Sequence, residues 1–170
     1  MAPPGVWHSV GKRARVPPLP AMTARHILRR KGSAVYTVSP GASLAEAAVR
    51  LRQHGVGALV VLDGDVPVGV ISERDLVRAL AERGALALAE PVAAEMSSPV
   101  ETCGPDTEVR ELMARMTTRR IRHLPVVEGG RLVGVVSIGD VVRHRVSEVE
   151  ADAAVLQDAL TARWASTLAA

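Results

Sequence analysis

GVISERD, Gly69 to Asp75, returns sixty-five positions later as GVVSIGD, Gly134 to Asp140. Each copy is an apolar run with a glycine and small β-branched residues, then a hydroxyl (Ser72, Ser137) and, three positions on, a carboxylate (Asp75, Asp140). That order reads as strand, turn and helix start. A serine three residues ahead of an acid at the first turn of a helix is in the first place a capping arrangement, in which the two side chains satisfy backbone N–H groups that the helix leaves unpaired.

The repeat extends well beyond this motif. Residues 35–80 laid on 100–145 without a gap give fifteen identities, among them Thr37, Pro40, Glu46, Arg50, Leu59, Val61, Gly64 and Val68, where chance would give about three. A self-similar unit of this length is a supersecondary module that buries its apolar face against its copy. The expectation is one domain with pseudo-twofold symmetry.

Composition narrows the function. The chain has 170 residues, 48% hydrophobic and 23% charged, which is enough for a core. Phe is absent and aromatics make up 2%, so the core is built from aliphatic residues and few rings remain to stack nucleic-acid bases. A net charge of +3 suits anionic ligands without requiring DNA or a membrane. The single cysteine, Cys103, excludes an intramolecular disulfide, and a cytoplasmic protein is the simpler expectation. No apolar run reaches the roughly 18–20 residues of a bilayer span.

Residues 1–21 hold five prolines, three basic residues and no acid, and read as a disordered extension. Periodic structure begins at Met22. Repeat one, 22–84, opens with a short basic helix or turn over 22–31. There follow a strand over Ala34–Val38, a helix capped by Ser43 with Glu46 three residues on, and a hairpin of Ala58–Leu62 and Val66–Ile71 around Asp63-Gly64-Asp65. A helix then runs from Ser72 to about Arg83. Gly84–Pro91 is the linker. Repeat two, 85–146, predicts a strand over Pro99–Cys103, a helix over Thr107–Arg119, strands over Ile121–Val127 and Leu132–Val136, and a final helix. In the last stretch, 147–170 with the turn before it, Val142, Val146, Val149, Ala153, Leu156 and Leu160 form a heptad seam. Docking of that seam on its own domain and pairing with another subunit are equal expectations.

The β, α, β, β, α repeat, with GVISERD and GVVSIGD closing the third strands, IRHLPVV (Ile121–Val127) opening the second strand of copy two, and a helix of the PGASLAEA type (Pro40–Ala47), resembles a tandem pair of cystathionine β-synthase (CBS) domains, a Bateman module. The resemblance covers roughly residues 22–146. The tail SIGDVVRHRVSEVEADAAVLQ is similar to stand-alone bacterial CBS-pair proteins. The fold implied is α/β, two such repeats packed about a pseudo-twofold axis, plus a C-terminal helix.

What the resemblance implies about function is a regulatory module that binds adenosine-containing nucleotides, AMP, ADP, ATP or NAD(H), with S-adenosylmethionine as an alternative, in the cleft between the copies. Asp75 and Asp140 correspond to the ribose carboxylates and Ser72 and Ser137 to the neighbouring hydroxyls. Thr37 and Thr102 border the sugar or phosphate, and Val70, Ile71, Val135 and Val136 flank the adenine. Arg122 and His123 stand where family members place phosphate-contacting side chains, while the same positions of copy one are Gly57 and Ala58. On chain adjacency this joins Arg122 and His123 to Asp140 and concentrates phosphate charge at one site, although in such modules one cleft can borrow phosphate contacts from the other copy. The family also implies a homodimer and a regulated partner.

An enzyme is not expected. The five histidines lack metal-ligand spacing, Cys103 lacks a His or Asn pattern, no P-loop is present, and Ser72 and Ser137 lack the G-x-S-x-G elbow. The alternative is an oligomerisation scaffold with vestigial clefts.

Overall fold

A computed structural model describes residues 21–168, so the proline-rich extension lies almost entirely outside the described residues. The elements in order are α1 (Ala24–Lys31), β1 (Thr37–Val38), α2 (Leu44–His54), β2 (Ala58–Asp63), β3 (Val66–Ser72), α3 (Glu73–Arg83), α4 (Val109–Arg119), β4 (His123–Glu128), β5 (Arg131–Ser137) and α5 (Ile138–Leu168). A 3-10 turn over Gly84–Ala89 fills most of the expected linker Gly84–Pro91, and a second, Val92–Ala94, follows it.

Each copy is built on an antiparallel hairpin, β2 with β3 and β4 with β5, in the same register sixty-five residues apart: Val60 faces Val70 as Pro125 faces Val135. β1 adds a parallel edge to the first hairpin, through Thr37 against Val60 and Val38 against Val61. The expected first strands are shorter than read. Ala34–Tyr36 lies outside the sheet, and Pro99–Cys103 is reduced to a single parallel bridge from Cys103 to Val126. In both copies the chain leaves the sheet before its edge is complete. α4 begins at Val109 because Thr107 turns back, its hydroxyl accepting from the Gly104 amide at 3.1 Å.

Two apolar cores result. Leu44, Leu51, Leu59, Val61, Ile71 and Leu76 anchor the first, and Leu112, Met116, Leu124, Val126, Val136 and Val141 the second. The elements ahead of each copy cross over. Ala24, Ile27 and Leu28 of α1 belong to the second core, while Ala87 and Val92, which follow repeat one, close the first.

α5 joins the last module helix to the terminal segment in one rod of 31 residues. Val141 is fully buried, but the seam is not: Val142, Val146, Val149, Leu156 and Leu160 are all about half or more exposed. The seam therefore does not dock on its own domain. No helix among the described residues is long and apolar enough to cross a membrane.

Candidate ligand clefts between the two copies

The two helix starts carry the paired serine and aspartate in the same geometry. At α3 the Ser72 amide and hydroxyl both donate to Asp75 Oδ2, at 2.9 and 2.6 Å. At α5 the Ser137 amide and hydroxyl donate to Asp140 Oδ2, at 2.8 and 2.7 Å. The capping reading thus holds in both copies, and it fixes where each carboxylate points.

Each carboxylate then faces the opposite copy. Asp75 and Val70 look onto Pro99–Glu101 and Arg120–His123, around a cavity of about 130 Å3. Asp140, Ser137 and Val135 look onto Lys31, Ala34–Tyr36 and Val56–Ala58, around about 240 Å3. His123 borders both. Adjacency along the chain is therefore misleading: Arg122 lies in the cleft of Asp75, not that of Asp140. The pseudo-twofold axis brings the strand start of one copy against the helix start of the other.

The clefts differ in chemistry. Facing Asp75 are Arg120 and Arg122, neither of which has a carboxylate in ion-pair range among the described residues; Glu101 is held by Arg119 at 2.6 Å. Arg120 caps α4 with φ +54°, the left-handed conformation that Gly55 adopts at the matching end of α2 with φ +62°. A residue with a side chain costs about 1–2 kcal/mol in that conformation, so Arg120 stands where glycine would be easier. Asp75 itself is buried, its Oδ1 3.2 Å from Arg78.

In the other cleft Lys31 Nζ donates to Asp140 Oδ2 at 2.7 Å, a contact that nothing in the basic run around Lys31 foretold. Burial raises the Asp140 carboxyl, but the Lys31 ammonium and the Ser137 amide and hydroxyl outweigh it and hold the group below its ordinary value. Tyr36, stacked on His54 at 3.9 Å, supplies an apolar wall that sequence reading also missed. His123 is pushed down, first by burial and then by the Arg122 and Lys31 charges, against a weaker pull from Asp140.

Of the expected site residues, Val70, Asp75, Arg122 and His123 line one cleft and His123, Val135, Ser137 and Asp140 the other, while Ser72 stands behind Asp75 and reaches the cleft only through it. Ile71 and Val136 line neither. Both are fully buried in the cores, because alternate strand residues face opposite sides of the sheet. Thr37 and Thr102 stand one residue beyond the cleft-lining stretches and use their carbonyls to accept from Arg50 and Arg115.

The CBS domain model matches residues 23–82 and again 91–147. The chain belongs to the CBS-domain family. A CBS-domain-containing protein of Agrobacterium tumefaciens is 46% identical to this CBS pair, with a TM-score of 0.70 over 74% of this chain and 94% of that one. A CBS domain pair solved with 5′-methylthioadenosine and S-adenosylmethionine is 27% identical, with a TM-score of 0.68 over 76% and 99%. CBSX2, solved in complex with AMP, is 25% identical, with a TM-score of 0.61 over 74% and 97%. Alignments with curated relatives take in about two thirds of those proteins, 66% and 67% in two of them.

Proposed function

We propose that this CBS pair is a regulatory sensor of an adenosine-containing nucleotide, AMP, ADP, ATP or NAD(H), taken up first in the cleft of Asp75. Asp75 Oδ1 would exchange Arg78 for the ribose hydroxyls, and Val70, Val100 and Ile121 would flank the base. Arg120, Arg122 and His123 would hold the phosphates, since a guanidinium matches phosphate oxygens two at a time. The observation that carries this reading is the pair of acid-free arginines facing a capped, inward-turned carboxylate, one of them in a backbone conformation suited to glycine. A ligand that touches both copies favours one relative orientation by its differential affinity, and so alters the surface offered to a regulated protein. No substrate is turned over in this scheme.

Nucleotides are expected to raise the melting temperature. At a hundredfold excess over Kd the gain is about 2.7 kcal/mol, a shift of several degrees, and adenosine, which lacks the phosphate, should give less. Thermal-shift measurements with AMP, ADP, ATP, NAD, NADH and S-adenosylmethionine check this. No shift with any of them at millimolar concentration would remove the sensor reading and favour the scaffold.

The subunit arrangement proposed is a homodimer through the module helices, supported by the exposed apolar residues Val49, Val77, Leu80, Val142 and Val146. A chain ending at residue 146 is then expected to remain dimeric in light scattering. A monomer would assign the association to the distal part of α5 instead.

A further inference from the structure

We infer that the corner between α1 and the first turns of α5 is a second site, a pocket for phosphoryl groups that opens onto the cleft of Asp140. The pocket encloses about 220 Å3 and presents His26, Arg30, Lys31, Asp140, Arg143 and His144. Lys31 and Asp140 also line the Asp140 cleft, so the two spaces share a wall.

The matching corner of copy one shows why this one is unusual. There Val92 donates to Ala42 at 2.8 Å and Met96 rests on Gly69; here Ala24 donates to Thr107 at 2.9 Å and Leu28 rests on Gly134. This register puts Ile27 where copy one has Glu95. In copy one Arg78 is neutralised between Asp75 at 3.2 Å and Glu95 at 3.4 Å. In copy two its counterpart Arg143 lines a pocket that has Ile27 in place of the acid, and Asp140 is already taken by Lys31.

Among the described residues neither Arg30 nor Arg143 has a carboxylate in ion-pair range. His144 Nε2 is buried without a hydrogen-bond partner, 3.9 Å from Glu148 Oε1. The Thr23 amide donates to His26 Nδ1 at 3.2 Å, which leaves Nε2 free for the pocket. Three permanent cations and two imidazoles thus converge on one carboxylate. Like charges brought together in this way repel unless an anion joins them. A volume of this size and two acid-free guanidinium groups suit a diphosphate, either as a free anion or as the tail of a nucleotide whose ribose sits on Asp140. The second source rests on the nucleotide reading above; the site itself does not.

Calorimetry on the full chain with inorganic pyrophosphate, AMP and ATP tests the pocket, using the parent, Arg30→Gln, Arg143→Gln and the double variant, with the exposed Arg52→Gln as a control. Pyrophosphate is expected to bind the parent and Arg52→Gln alike, and to weaken by about tenfold or more in each pocket variant, while AMP is unchanged. If ATP weakens in step, the pocket takes the nucleotide tail; if ATP holds, its ligand is a free phosphoryl anion. Arginine-dependent pyrophosphate binding in a protein whose melting temperature none of AMP, ADP, ATP, NAD, NADH and S-adenosylmethionine shifts would keep the pocket and discard the nucleotide sensor. The inference is overturned if pyrophosphate does not bind the parent, or if the double variant binds pyrophosphate and ATP as the parent does. Melting curves matching the parent's confirm that the variants are folded.

Discussion

Asp75→Asn is expected to weaken AMP binding by about ten- to a hundredfold, the equivalent of losing charge-assisted hydrogen bonds worth roughly 1.5–3 kcal/mol. Asparagine keeps an oxygen to accept from the Ser72 amide, so the start of α3 stays capped and the loss reports on ligand rather than on folding. Asp140→Asn should cost AMP less, because Lys31 already occupies that carboxylate. Arg122→Ala should lower affinity for AMP more than for adenosine and resemble Asp75→Asn, with which it shares a cleft. Calorimetry on the three variants decides. A larger loss from Asp140→Asn than from Asp75→Asn would return the phosphate to the cleft suggested by chain adjacency.

Leu124→Ala is expected to have the largest effect on stability. Leu124 is fully buried in the second core among Leu112, Met116, Val126 and Val136. Removing a buried leucine costs about 2–5 kcal/mol, the lost transfer energy plus the cavity left behind, which for a domain of this size lowers Tm by on the order of 10 °C. The chain has no phenylalanine to swing into the space. Leu86→Ala, at a residue 82% exposed and outside the proposed dimer face, should change stability by no more than about 0.5 kcal/mol. Thermal melts followed by circular dichroism measure both, and near-equal melts would mean that the second core contributes little.

Most of the fold was legible because the repeat supplies two readings of every element. Helical spacing, serine caps and the repeat itself set α2, α3 and α4 within a residue or two, and the glycine turns set the hairpins. The departures share one cause. The sequence does not say which face of the sheet, or which copy, a side chain packs against. Val70 and Ile71, or Val135 and Val136, are all apolar, so no alternation separates the cleft face of the strand from the core face; the structure sends the first of each pair to the cleft and the second to the core. Arg122 was recognisable as a phosphate-type residue, but its carboxylate is 47 positions upstream at Asp75 rather than 18 downstream at Asp140. Lys31 sits in an Arg-Arg-Lys run that reads as a solvated helix end, and only the packing of α1 on the other copy brings it to Asp140. Ala34–Tyr36 reads as strand by residue type, yet its place is the wall of a cleft.

The crossing of α1 and the 3-10 turns also bears on how the chain acquires its shape during synthesis. α1 is made before any other described element, yet the elements it rests against, β5 and the start of α5, are the last two in the chain. When the first hairpin and its two helices have left the ribosome, the lid over their core, Ala87 and Val92, is still to come, and α1 has no floor beneath it. The segment duplicated in the sequence is therefore not a segment that folds by itself. A nascent chain halted near residue 84 would expose two incomplete apolar surfaces, and contacts that span the whole module must form before either half is closed. The two copies are committed to one another before either has a site with which to bind.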